Sequence, residues 1–117
     1  MVSIKGFKAI ALSFPATIEA AHFEKTSFKI KNKIFATLSE IENRACVKLS
    51  PVDQSAFCTF DAQVIFPVPN KWGKQGWTMI DLKKVKKEML EDALTTAYGL
   101  VAPKSLAKIY TDLRDKM

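Results

Sequence analysis

The chain has 117 residues and carries 18 Lys and Arg against 12 Asp and Glu, a formal net charge of +6. This length predicts a single domain that spans residues 1–117. Two cysteines are too few for a disulfide-rich scaffold, and no apolar run approaches the about 20 residues that a membrane helix needs. Because the N-terminus also lacks the apolar stretch of a secretory signal, we expect a basic cytoplasmic protein with no membrane partner. Its oligomeric state, monomer or homodimer, stays open.

An amphipathic helix opens the predicted fold. Ile4, Phe7 and Ile10 recur at a spacing of three residues, which places them on one side of a helix. The helix is expected to end at Phe14, because Pro15 disfavours a helical conformation in the residue before it.

A three-stranded meander is predicted after a polar connector that contains Glu19 and His22. Lysines alternate with apolar residues from 23 to 31, and this period of two indicates a half-buried antiparallel strand. A turn at Asn32 and Lys33 would lead into the partner strand. The second and third strands are predicted at residues 34–38 and 45–49.

The second half of the chain predicts a helix, two strands and two further helices. Ser50 and Pro51 are typical of a helix start, and Asp81 is placed to cap a long helix that runs to Val101. The remaining predicted elements are a helix from 51 to 58, strands at 64–66 and 77–82, and a last helix from 104 to 114. We therefore predict an α+β two-layer sandwich in which helices pack on a five-stranded antiparallel sheet, in the order α-β3-α-β2-α-α.

The sequence contains no motif that indicates an enzyme active site or a metal site. Cys46 and Cys58 match no zinc-site spacing and are predicted to be largely buried apolar side chains. His22 is the single histidine, and no hydrolase, metalloprotease or P-loop motif is present. We expect a non-catalytic protein without metal or cofactor. A small-ligand pocket remains an alternative, with these candidate residues: Glu19, His22, Lys48 and Trp77.

The positive charge is concentrated in two blocks. Residues 22–50 hold six basic and three acidic side chains, and residues 82–117 hold eight and five. The first block includes a row of lysines along the first predicted strand, and the second includes four lysines between positions 83 and 87. Either these groups bind an anionic partner or they keep exposed surfaces solvated.

The loop from Asn70 to Gly76 is the most site-like segment of the chain. Lys71 and Lys74 flank Trp72, and a cation beside an exposed indole is typical of contacts to a stacked base or a phosphate. Trp77 is predicted to pack in the core, whereas Trp72 either anchors the loop or lies exposed. The predicted nucleic-acid contacts are Lys29, Lys31, Lys33, Lys71, Trp72 and Lys74.

The chain resembles the MmcQ/YjbR family over roughly residues 4–110. The matching segments are, in chain order, Glu19, His22-Phe23, Phe28-Lys29-Ile30, residues 33–38, residues 47–49, WGKQGWT at 72–78, Asp81-Leu82 and AYGLVAPKSL at 97–106. Gly99 departs from similar sequences, which tend to have a larger and often basic residue there.

The resemblance implies an α+β fold similar to that of type III secretion chaperones and a DNA-binding domain of the "double-wing" type. It implies no enzyme activity and no cofactor. DNA is therefore the expected partner. By analogy with the chaperone-like fold, a protein- or peptide-binding module is the alternative.

Overall fold

Six antiparallel strands form one sheet in the computed structural model, which describes residues 1–22 and 24–103. The helices are α1 (Ile4–Leu12), α2 (Pro51–Phe60), α3 (Lys71–Lys74) and α4 (Lys87–Val101). The strands are β1 (Ile18–His22), β2 (Lys25–Ile30), β3 (Lys33–Ser39), β4 (Arg44–Lys48), β5 (Ile65–Pro67) and β6 (Trp77–Asp81). Their order across the sheet is β1-β2-β3-β4-β6-β5, so β1 and β5 are its edges.

The predicted class, a mixed α+β fold with an open antiparallel sheet, is confirmed, but the predicted number of strands is wrong. The segment Ile18–His22, expected to be a polar connector, pairs along its whole length with β2 and forms an edge strand. It lacks the alternation of apolar and polar residues that marks the other strands, because an edge strand needs to bury little. The helix predicted at 104–114 lies outside the described residues.

The inner face of the sheet is the side on which α1 and α4 pack. Phe7 of α1 meets Phe28 of β2 edge-on, with ring centroids 5.5 Å apart. Tyr98 of α4 stacks on Phe14 with centroids 4.9 Å apart, and its hydroxyl donates a hydrogen bond of 2.8 Å to the carbonyl of Pro15. The inner face therefore holds the hydrophobic core and ties α1 and α4 to the sheet.

The β2–β3 turn lies one residue earlier than the sequence predicts. Lys31 and Asn32 have φ angles of 47° and 68°, and two consecutive positive φ angles are typical of a two-residue type I′ turn. The backbone twist of a type I′ turn matches that of the flanking strands. Lys31 therefore adopts a positive φ angle here, although residues other than glycine and asparagine rarely do so.

A β-bulge follows this turn and decides which side chains point outward. Phe28 pairs with Ala36, whereas the next residue, Lys29, pairs with Ile34. The extra residue, Phe35, is buried together with Ala36. Ile34 therefore turns to the opposite side of the sheet, beside Lys29.

The long helix α4 begins later than predicted. Asp81 caps a turn instead, because its Oδ1 accepts a hydrogen bond of 3.0 Å from the amide of Lys83. The helix proper starts at Lys87, with Lys86 as a cap residue that makes no side-chain bond. Three of the four lysines between 83 and 87 thus precede the helix.

In the described residues, no helix is long and apolar enough to cross a membrane.

Two glycines let the loop before β6 pack against the chain's own backbone. A Cβ at Gly73 would overlap the carbonyl oxygen of Val68, and a Cβ at Gly76 would overlap that of Leu49. Gly76 also has a φ of 104°, which L-residues rarely adopt. The close approach that these glycines allow is therefore between backbone segments.

The side-chain amide of Gln54 on α2 fixes the same loop. It donates a hydrogen bond of 2.9 Å to the carbonyl of Gly73 and one of 3.1 Å to the hydroxyl of Thr78. The helix that supplies it starts as predicted, with Ser50 as the cap and Pro51 in the first turn. This contact joins α2, α3 and β6 into one corner of the fold.

We expect Gly76→Ala and Gly99→Ala to change stability in opposite directions. The first adds a Cβ where φ is 104° and no space exists, so the free energy of unfolding falls by more than about 2 kcal/mol. Gly99 lies exposed inside α4 with nothing within 4 Å of a new Cβ, so alanine there stabilises by about 0.5–1 kcal/mol. Urea unfolding of both variants measures this difference. Equal midpoints for the two would contradict the described geometry of the loop.

Candidate nucleic-acid interface

The outer face of the sheet, opposite the inner face, carries four cations on two strands. Successive side chains of a strand point to opposite faces, and Phe28 of β2 and Val47 of β4 are buried on the inner face. Lys25 and Lys29 therefore point outward on β2, and Arg44 and Lys48 do so on β4. Neighbouring β6 adds the carboxylate of Asp81, which lies opposite Arg44 in the register. These strand positions therefore present a surplus of positive charge on one side of the sheet.

A groove of about 350 Å³ opens where the outer face meets the end of α4. Its lining consists of Lys33, Ile34, Lys48, Trp77, Leu100 and Val101. The ammonium nitrogen of Lys48 lies 5.4 Å from the centroid of the half-buried Trp77 ring, within the range of a cation–π contact. The groove thus combines an apolar floor with two ammonium groups, and this combination suits an anionic ligand that has a flat apolar part.

The predicted nucleic-acid contacts fall into two groups. Lys29 lies on the outer face, while Lys31 and Lys33 are exposed at the adjoining β2–β3 turn. The other three form part of α3, where the Lys71 ammonium nitrogen lies 5.8 Å from the centroid of the Trp72 ring. Trp72 is 50% exposed, so it is a surface side chain and not a core anchor.

Trp77 corrects one prediction. It was expected in the core, but it lies half-buried on the outer face, opposite Lys48 in the strand register. The alternating pattern of β6 correctly predicts that Trp77 and Met79 lie on one face of the sheet and Thr78 on the other. The sequence could not tell which of the two faces the helices cover, because that depends on where α1 and α4 pack.

The small-ligand pocket predicted from four residues is only partly assembled. Lys48 and Trp77 adjoin, but the carboxylate of Glu19 lies 3.6 Å from the ammonium of Lys8 on α1. Glu19 therefore faces the helices, away from the groove. The side chain of His22 lies outside the described part of the chain.

The groove residues that sequence reasoning missed are Ile34, Leu100 and Val101. Ile34 was assigned to a regular strand, and only the bulge turns it outward. Leu100 and Val101 belong to the last turn of α4, and nothing in their spacing shows that this turn reaches β3 and β6. The position of Leu100 does indicate an exposed apolar side chain, because it lies outside the row of buried residues along α4.

Two of the four lysines between 83 and 87 lie away from the outer face. Lys84 and Lys86 line a separate groove, also of about 350 Å³, between α2 and α4. Three carboxylates share that groove, from Asp61, Glu88 and Asp92. Because these acids offset the lysines, this groove does not favour a polyanion.

Burial disfavours the thiolate form of both cysteines. Burial raises the pKa of Cys46 from 9.0 to about 11, against smaller lowering effects from the charge of Lys25 and a hydrogen bond from the Thr78 backbone. Burial also raises the pKa of Cys58. A protonated thiol is a poor nucleophile and metal ligand. Among the side chains that the structure describes, which exclude His22, no three from His, Cys, Asp or Glu lie close enough to share a metal ion.

We expect alkylation of Cys46 by iodoacetamide to rise with pH to a midpoint near 11 in the folded protein. Unfolded Cys46 ionises near 9, so unfolding releases a proton between these values and the free energy of unfolding falls as the pH rises from 9 to 11. Peptide mass spectrometry after timed alkylation separates Cys46 from Cys58. A Cys46 midpoint at or below 9 would contradict the burial of this thiol.

Comparison with known proteins identifies the family. A family model described as YjbR matches residues 12–100. The chain belongs to the YjbR family. A solved structure, that of Deinococcus radiodurans protein DR2400 with a DUF419 domain, is similar to this YjbR protein with a TM-score of 0.77. The two are 23% identical, and the match covers 90% of this chain and 82% of that one, which shows a shared fold. No protein with a curated description matches the chain.

Proposed function

We propose that this YjbR-family protein is a non-catalytic DNA-binding protein that contacts phosphates through the outer face of its sheet. The observation that carries the proposal is the arrangement of Lys25, Lys29, Arg44 and Lys48. They occupy two strands separated by β3, and the members of each pair are four positions apart along their strand. Strand geometry then places them at the corners of a rectangle of about 10 Å by 13 Å.

Such spacing supports contact with several phosphates of one nucleic acid segment. Lys31 and Lys33 extend the rectangle at the β2–β3 turn, where both side chains are exposed. Long lysine and arginine side chains adjust to phosphate positions, and contacts of this kind hold DNA without reading its sequence. We therefore infer binding that depends on phosphate charge and varies little with base sequence.

We expect Lys25→Ala/Lys29→Ala to weaken DNA binding and to reduce the slope of log affinity against log salt by about 2, one for each lost phosphate contact. The matched control is Lys84→Ala/Lys86→Ala, which removes the same charge from the groove that contains three carboxylates. Fluorescence anisotropy with labelled duplex and single-stranded DNA at low salt measures both. Absence of binding by the wild-type protein at tens of micromolar would refute DNA binding, and equal loss in both variants would refute the outer face as the interface.

The loop helix α3 offers a second set of contacts. We expect Lys71→Ala/Lys74→Ala to weaken binding to a similar degree for unrelated DNA sequences, because phosphate contacts carry no base information. The same anisotropy titration on several oligonucleotides measures it. Unchanged affinity in this variant would remove α3 from the interface and leave the outer face alone.

A protein-binding role is the second candidate, and one observation favours it. Helix α2 has no buried residue, and its Val52 and Phe60 are 78% and 76% exposed. An apolar helix side of this kind is common at protein interfaces. Under this alternative, Val52→Ser/Phe60→Ser abolishes self-association in light scattering, whereas under DNA binding alone the variant and the wild type are both monomeric.

A further inference from the structure

We propose that the groove lined by Lys33, Lys48 and Trp77 receives one unpaired nucleotide, with its base against the indole and its phosphate between the two ammonium groups. The protein would then prefer single-stranded over duplex nucleic acid. This inference rests on the proposed function, because it uses the outer face to carry the rest of the strand.

The floor of the groove suits the flat face of a base. Trp77 is half-buried, and Ile34 and Val101 are likewise part-exposed beside it. Leu100 leaves 48% of its surface exposed at the rim of the groove. Bases stack on aromatic side chains regardless of their identity, since every base has a π face. An apolar floor with an indole thus lets a base stack on the indole and bury apolar surface.

The charges of the groove suit a phosphate. Among the described residues that line it, Lys33 and Lys48 are the two ionisable ones and none is an acid. The flexible stem of Lys48 lets its ammonium group move from the Trp77 ring to a phosphate when a base occupies the ring. The groove between α2 and α4 has the same volume, about 350 Å³, but three carboxylates line it. Charge and not size therefore distinguishes the two grooves.

The size of the groove indicates a single nucleotide in an unpaired state. A volume of about 350 Å³ lies at the lower end of the range for small-molecule sites, about 300–1,000 Å³. A base inside a duplex is stacked and paired, and extracting it costs a few kcal/mol. Single strands expose their bases without that cost, so the groove favours them over a duplex of the same sequence.

The test uses Trp72→Phe protein, in which Trp77 is the sole tryptophan, and three ligands: a single-stranded 12-mer, its duplex and a mononucleotide. We expect the single strand to quench Trp77 fluorescence and to bind at least tenfold more tightly than the duplex at equal phosphate concentration. The mononucleotide should quench weakly and compete with the single strand. Quenching by the mononucleotide with no binding of either DNA would support the groove as a site for free nucleotides and would refute the proposed DNA binding.

A pair of matched variants locates the effect. Leu100→Glu places a carboxylate at the rim of the groove, and Ile41→Glu places one at a position that is 85% exposed in the β3–β4 turn. Both residues are exposed, so both variants should fold, which circular dichroism checks. We expect Leu100→Glu to reduce single-strand affinity about tenfold more than Ile41→Glu, and to reduce duplex affinity equally with it. Trp77→Ala should lose the preference and Trp77→Phe should retain most of it.

Two further outcomes overturn this inference, and the second of them leaves the proposed function standing. If neither DNA form binds nor the mononucleotide quenches, both are wrong. If the duplex binds as tightly as the single strand, and Leu100→Glu behaves as Ile41→Glu does, the outer face binds DNA but the groove receives no base.

Discussion

The packing of Tyr98 against Phe14 and Phe35 is the contact on which the rest of the structure depends. Tyr98 stacks on Phe14 and meets Phe35 edge-on with centroids 5.7 Å apart, while its hydroxyl bonds the carbonyl of Pro15. This cluster joins α4, the end of the α1 segment and β3. Because Phe35 is the extra residue of the bulge, burying it against Tyr98 turns Ile34 outward and brings the last turn of α4 to the groove.

The sheet separates the charges of the protein into two environments. Four cations point from the outer face, and two acids lie beside one of them, Arg44: Glu42, at 3.6 Å, and Asp81. Lys84 and Lys86, in contrast, share their groove with three carboxylates. The net charge of +6 is thus distributed unevenly over the surface. For a protein that contacts phosphates, the distribution of charge matters more than the total, since a polyanion responds to the local electrostatic potential.

Local patterns predicted much of the fold and part of the site. The alternation in β2, β4 and β6 identified which residues share a face, and Ser50 with Pro51 marked the start of α2. The edge strand β1 was missed because pairing with β2, and not its own composition, makes it a strand. Gly73 and Gly76 are visible in the sequence of the loop before β6, but their contacts are not. Gly73 lets the backbone approach Val68 of the same loop, and Gly76 lets it approach Leu49, just after β4. No sequence pattern indicates either contact.

By itself, the sequence determined the family, the α+β class and the lysine-lined strand, because each depends on residue order and on the period of apolar side chains. Only the tertiary structure decided that Trp77 lies on the open side of the sheet, that Glu19 faces α1, and that Lys33 and Lys48 share one groove. A strand pattern defines two faces without saying which one the helices cover. That choice is made by long-range packing, here of α1 and α4 on the inner face.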